Sequence, residues 1–100
     1  MQMIAIIAEM PIKEGQMDQA VEAAKEFMEH VKTEQGCLHY TANVDTKNAP
    51  NTLVFIERYQ DKDALKAHGE SPQFQAFFAK AAAMLDGAPV LRRLSEVASI

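Results

Sequence analysis

Residues 53–59, LVFIERY, carry apolar side chains on both alternating sets and then pass, through Gln60-Asp61, straight into a helical pattern. An extended segment that is apolar on both sides needs cover on both sides. The helix that follows can supply one cover, so this segment predicts a central strand, Thr52–Tyr59, in a layered α+β fold. Along the same stretch lie Glu57, Tyr59 and His68. The first two share one side of the strand, and His68 sits on the helix expected to cover that side. Chemistry is concentrated here and scattered elsewhere.

The remaining elements follow from periodicity. Met3–Met10 is Ile-rich and ends at Pro11, which predicts a first strand. Ala20, Val21, Ala24, Phe27, Met28 and Val31 recur at helical spacing over Met17–Glu34, while Glu22, Lys25, Glu26, Glu29, His30 and Lys32 fall toward the polar side. Gly36 is expected to end that helix in left-handed backbone. Cys37–Asp45 predicts a second strand, with Leu38, Tyr40, Ala42 and Val44 on one face and Cys37, His39, Thr41 and Asn43 on the other. A loop is expected over Lys47–Asn51. Asp61 is a good N-cap for the second helix. Ser71-Pro72 interrupts that helix and can restart it, with Ser as cap and Pro as first residue. Gln73–Leu85 continues with Phe74, Phe77, Phe78, Ala81 and Leu85 inward, and Ala88–Val97 predicts a last strand.

Strand, helix, strand, strand, helix, strand is the split pattern of a ferredoxin-like antiparallel sheet with its helices on one face. One hundred residues make a single domain, 1–100. The other sheet face is then left without cover although its strands are apolar on both sides. A two-fold homodimer is the simplest way to bury it.

Composition excludes several classes. The net charge of -4 and dispersed cations, apart from Arg92-Arg93, do not make a nucleic-acid footprint. No apolar run approaches the ~18 residues of a membrane span. The start carries no basic leader or cleavage site, and the single cysteine, Cys37, fits a reducing compartment. A cytoplasmic protein is expected. No zinc-ligand spacing and no phosphate-binding glycine loop is present, so neither a metal nor another cofactor is expected. Cys37, without a nearby base in sequence, reads as a small strand hydrophobe.

EQGCLHY followed by LVFIERYQDKDALKAHGESPQFQAF resembles the antibiotic biosynthesis monooxygenase domain family. The resemblance rests on a Gly-Cys-apolar-x-aromatic second strand, a Glu-x-aromatic third strand and an Ala-Leu-x-x-His helix followed by Ser-Pro-x-aromatic. It runs over nearly the whole chain. It implies a dimeric α/β barrel built from two facing sheets, and a family that includes quinol monooxygenases, cofactor-free oxidases of polyketide phenols and a signalling-molecule isomerase. The haem-degrading branch of the superfamily uses a pocket tryptophan, and this chain has none. Many phenol-oxidising relatives carry tryptophan where Tyr59 stands here.

For a quinol or similar electron-rich aromatic, the anion reduces dioxygen far more readily than the neutral form, so the protein needs a base near neutral pH. His68 is the best candidate. Glu57 could orient or charge-stabilise the imidazole, and Tyr59 could bond a substrate oxygen. Phe27, Met28, Tyr40, Phe74, Phe77, Phe78 and Met84 are candidate lining. Each has a structural alternative. His68 could pack under Phe74 on a backbone carbonyl, Glu57 could pair across a dimer, and Tyr59 could be a core-edge aromatic. Two other functions stay open: an isomerase of a small, phosphorylated or unphosphorylated carbonyl metabolite, with Arg58, Arg92 and Arg93 as phosphate candidates, and a barrel that only binds ligand.

Overall fold

The computed structural model describes residues 2–100, and its elements are β1 (Ile4–Pro11), α1 (Met17–Val31), β2 (Cys37–Asp45), β3 (Ala49–Tyr59), α2 (Lys62–Glu70), α3 (Pro72–Ala82) and β4 (Val90–Ser95). The four strands are antiparallel and lie in the order β2-β3-β1-β4. This is the ferredoxin-like order that the sequence predicts, with β3 and β1 as the central strands. Their inward residues Ile4, Ile6, Met10, Leu53, Phe55, Glu57 and Tyr59 are all buried. The helices cover this side. At the centre of the main core, Phe27 of α1 stacks on Phe77 of α3, with ring centroids 4.9 Å apart. A stacked aromatic pair adds about 0.5–1.5 kcal/mol to the area the two rings bury.

Local rules hold at the junctions that matter for the site. Asp61 caps α2 by accepting a hydrogen bond from the Ala64 amide at 2.8 Å. Ser71 ends one helix and begins the next: its hydroxyl donates to the His68 carbonyl at 2.9 Å and accepts from the Phe74 amide at 3.0 Å. Pro72 follows as the first residue of α3, where its missing N–H costs nothing. These bonds fix the backbone of His68 between two helix ends.

Four features differ from the sequence expectations. A bulge at Leu38 breaks the β2–β3 register, so that Cys37 pairs with Tyr59 and Tyr40 with Glu57. One extra residue reverses the alternation before it. Cys37 therefore turns to the helix side with Tyr40, and Leu38 is exposed. Gly36 is not left-handed; among the described residues Gly15 alone has positive φ. Gly36 is glycine because α2 lies against it, and a Cβ there would overlap that of Ala64. The β2–β3 connection shrinks to Thr46-Lys47-Asn48, because Asp45 accepts the Lys47 and Asn48 amides at 3.1 and 3.0 Å and tightens the turn. The last strand spans only Val90–Ser95 and forms a sheet edge.

The face away from the helices carries Ala5, Ile7, Val54, Ile56, Val90 and Leu94, with Ile7 paired directly with Ile56. Ile56, Val90 and Leu94 are exposed. Arg58 makes two 2.8 Å hydrogen bonds to Glu96 beside this surface. No helix of the described residues is long and apolar enough to cross a membrane.

Candidate active site

A cavity of about 450 Å³ opens between the helix side of the sheet, α2, α3 and the β4 edge. That volume is in the range of small-molecule sites. Its walls are Ile6, Ala8, Met10, Phe55, Leu65, Phe74, Phe77, Phe78 and Leu91, and its polar groups are Tyr40, Glu57, His68 and Arg93. Strand register explains the polar row. Tyr40 is the lateral neighbour of Glu57, Glu57 of Ile6, and Ile6 of Arg93, so one line of side chains crosses the floor from β2 to β4.

His68 reaches the cavity because Leu65 and His68 lie one turn apart on the inward face of α2. Its side chain is buried, and four aromatic rings surround it: Phe27, Tyr40, Tyr59 and Phe74, with centroids 5.2–5.6 Å away. Nδ1 lies 2.8 Å from Oε1 of Glu34, just beyond α1. With that carboxylate as acceptor, Nδ1 carries the proton of the neutral ring. Nε2 then has a lone pair and no hydrogen-bond partner among the described residues, and it is the nitrogen available to a ligand.

Glu57 is the buried carboxyl of the site. Tyr59 donates to its Oε1 at 2.7 Å. Burial raises the Glu57 carboxyl above the usual carboxylate range, and the Tyr59 hydrogen bond and the nearby His68 offset part of that. Burial, reinforced by the Glu57 charge, raises the phenols of Tyr40 and Tyr59, so both stay protonated as donors. Burial likewise raises the Cys37 thiol to about 11, which keeps it an unreactive thiol at neutral pH.

The structure therefore gathers His68, Glu57, Tyr40, Phe74, Phe77 and Phe78 at one cavity. It does not bring Tyr59, Phe27, Met28 or Met84 to its surface. Tyr59 is fully buried, and its hydroxyl is spent on Glu57. Phe27 is core, Met28 lines a shallow groove with Leu38 and His39, and Met84 borders an open trough beside α1. Among the described residues, no three His, Cys, Asp or Glu side chains come together as metal donors. Sequence reasoning did not single out Glu34. It lies between His30 and Gly36 in a turn held by the Glu34 N–H to Val31 carbonyl bond of 3.0 Å, and no local pattern links it to a residue on α2. His30, expected in solvent, is partly buried beside Glu34.

A sequence profile of the antibiotic biosynthesis monooxygenase family matches residues 3–80. Putative monooxygenase YcnE of Bacillus subtilis (strain 168) is 29% identical over 83 residues, which are 83% of this chain and 86% of that protein. The crystal structure of a putative antibiotic biosynthesis monooxygenase from Caulobacter crescentus CB15 superposes with a TM-score of 0.91 at 28% identity, covering 97% of this chain and 92% of that one. A conserved protein from Methanosarcina mazei Go1 shares the fold, with a TM-score of 0.88 at 23% identity over 94% of this chain and 92% of its own. The match over most of the chain includes the strand that carries Glu57 and the helix that carries His68, and the chain belongs to the antibiotic biosynthesis monooxygenase family.

Proposed function

We propose that the protein is a monooxygenase that oxidises a quinol or a similar electron-rich phenol with dioxygen, using His68 as the base. The observation that carries this reading is the pairing of His68 with Glu34 inside an aromatic-walled cavity. The bond to Glu34 leaves the Nε2 lone pair free, and the carboxylate stabilises the imidazolium formed when Nε2 takes the substrate hydroxyl proton. Tyr40 is placed to donate to a ring oxygen, and Phe74, Phe77 and Phe78 suit a planar ring.

The electron balance needs no external reductant. The phenolate gives electrons to dioxygen, and a new C–O bond forms at a ring carbon. The O–O bond then breaks, leaving a carbonyl on the ring and one oxygen atom in water. All four electrons and both water protons come from the substrate, whose ring C–H becomes C=O. The protein's part is to ionise the phenol, hold the anion and exclude water from the radical pair. Tyr59 acts one step back, holding Glu57 rather than the substrate.

A second reading is favoured by Arg93, the only one of Arg58, Arg92 and Arg93 that lines the cavity. It makes no ion pair among the described residues. An unpaired guanidinium on the cavity wall would suit the phosphate of a small carbonyl metabolite, isomerised by acid–base chemistry alone. Oxygen uptake with a panel of hydroquinones decides between the two: consumption that depends on His68 supports the monooxygenase, and none with any member of the panel removes it.

We also propose that the working unit is a homodimer in which two open sheet faces meet as a barrel. The exposed Ile56, Val90 and Leu94 support this, since an apolar sheet face left in water is a liability.

A further inference from the structure

The carboxylate that holds His68 also faces a second imidazole. Oε1 of Glu34 is 2.8 Å from Nδ1 of His68, and Oε2 stands 3.6 Å from Nε2 of His30. That His30 nitrogen is buried without a hydrogen-bond partner among the described residues. The His30 side chain is nevertheless 25% exposed, and it borders a surface groove with Gln73 and Lys80, on the opposite side of α1–α3 from the cavity. Three titratable groups thus run from the cavity wall to the outside, with one gap, of 3.6 Å, between Glu34 and His30. A buried nitrogen aimed at a carboxylate is costly as a lone pair. It becomes a charge-assisted donor once it carries a proton.

We propose that His68, Glu34 and His30 form a proton relay joining the cavity to bulk water while a substrate fills the cavity. This rests on the reading of His68 as the base. When Nε2 of His68 takes the substrate proton, the Nδ1 proton passes to Oε1 of Glu34. The carboxyl group turns and delivers that proton to Nε2 of His30, and His30 releases its Nδ1 proton to water. One proton enters at the cavity and one leaves at the surface. The reverse sequence resets each ring and recharges His68 for protonating reduced oxygen.

The surrounding groups leave the path to these three. Beside His30, Glu26 of α1 and Lys80 of α3 satisfy each other at 3.1 Å. From β2, Cys37 and Tyr40 face Glu34 as a protonated thiol and phenol, and from β3 Glu57 is engaged by Tyr59.

The test is turnover of the His30→Gln variant with a hydroquinone, alongside NMR of the His68 Nδ1 proton in the ligand-free protein. That proton is held by Glu34, and in a relay its exchange with water runs through His30. His30→Gln should slow that exchange, and it should slow turnover about 10-fold, well short of the loss from removing the base itself. Added imidazole, a small mobile proton carrier, should restore part of the turnover. An exchange rate unchanged by His30→Gln would overturn the relay. The exchange measurement needs no activity, so it stands apart from the assignment of His68 as base, which falls if His68→Ala leaves oxidation intact.

Discussion

Tyr59 and Glu57, two residues apart on β3, are joined by a 2.7 Å hydrogen bond that removes the tyrosine hydroxyl from the cavity and leaves the carboxylate facing it. The bond compensates only in part for burial, which raises the Glu57 carboxyl. A carboxyl whose proton is held more tightly in the folded state than in the unfolded chain favours folding at low pH. That contribution is complete below the unfolded value, close to 4.5, and is lost as pH rises through the higher folded one. Glu57→Gln, which keeps an acceptor for Tyr59 and carries no charge, should therefore flatten the decline in stability above pH 4.5 and be more stable than wild type at pH 7. Urea midpoints across pH check this; an unchanged slope would mean that Glu57 ionises without cost.

His68 and Glu34 should separate in kinetics. His68→Ala removes the base and should lower kcat/KM for a hydroquinone by about 10²–10⁴-fold. Glu34→Gln keeps a partner for Nδ1 but loses the charge that stabilises the imidazolium, so it should cost less and act mainly on kcat. A larger loss in Glu34→Gln than in His68→Ala would reverse the roles assigned to them.

Legibility in the sequence followed the range of the interactions. Periodicity over six to fifteen residues places every strand and helix, and it places His68 and Glu57 on facing surfaces, because burial repeats with the geometry of each element. The bulge at Leu38 is invisible to that logic, since it is a mismatch between two strands and not a property of either. The same holds for Glu34, whose partner is 34 residues away. Tyr59 and Tyr40 show the limit most clearly. Both could face a pocket, and only the side-chain depth in the assembled layers decides that Tyr40 does and Tyr59 does not.

Gly36 offers a test of the α2 docking that brings His68 over the sheet. Its carbonyl accepts the Gln60 amide at 2.9 Å, and its α-carbon leaves no room for a methyl group against Ala64. Gly36→Ala should destabilise the fold by about 1–3 kcal/mol, the usual range for overpacking. A double variant with Ala64→Gly should recover much of it. Thermal unfolding of the two variants gives the answer, and a neutral Gly36→Ala would show that α2 can move away freely.

Phe27 and Phe78 divide core from cavity. Phe27 is 4% exposed and stacks on Phe77, whereas Phe78 is 43% exposed and lines the cavity mouth. Phe27→Ala should cost about 3–5 kcal/mol of stability. Phe78→Ala should cost under ~1 kcal/mol, as exposed positions do, but raise KM for a bulky aromatic. Denaturant titration and KM measured on the same two proteins check both halves.

The open sheet face predicts its own disruption. Ile7 and Ile56 form a direct cross-strand pair at the middle of that face, and Ile56 is 43% exposed in the single chain. If two copies meet there, a lysine at position 56 would be buried against its symmetry mate, placing two like charges close together in an apolar interface. Wild type should sediment at twice the 11.1 kDa chain mass, and Ile56→Lys should shift to the single-chain mass at micromolar concentration. The cavity lies on the opposite side of the sheet, so histidine signals from His68 should persist in the monomeric variant. A wild-type protein that sediments as a single chain, or an Ile56→Lys variant that keeps the wild-type mass, would show that this face is not where the copies meet.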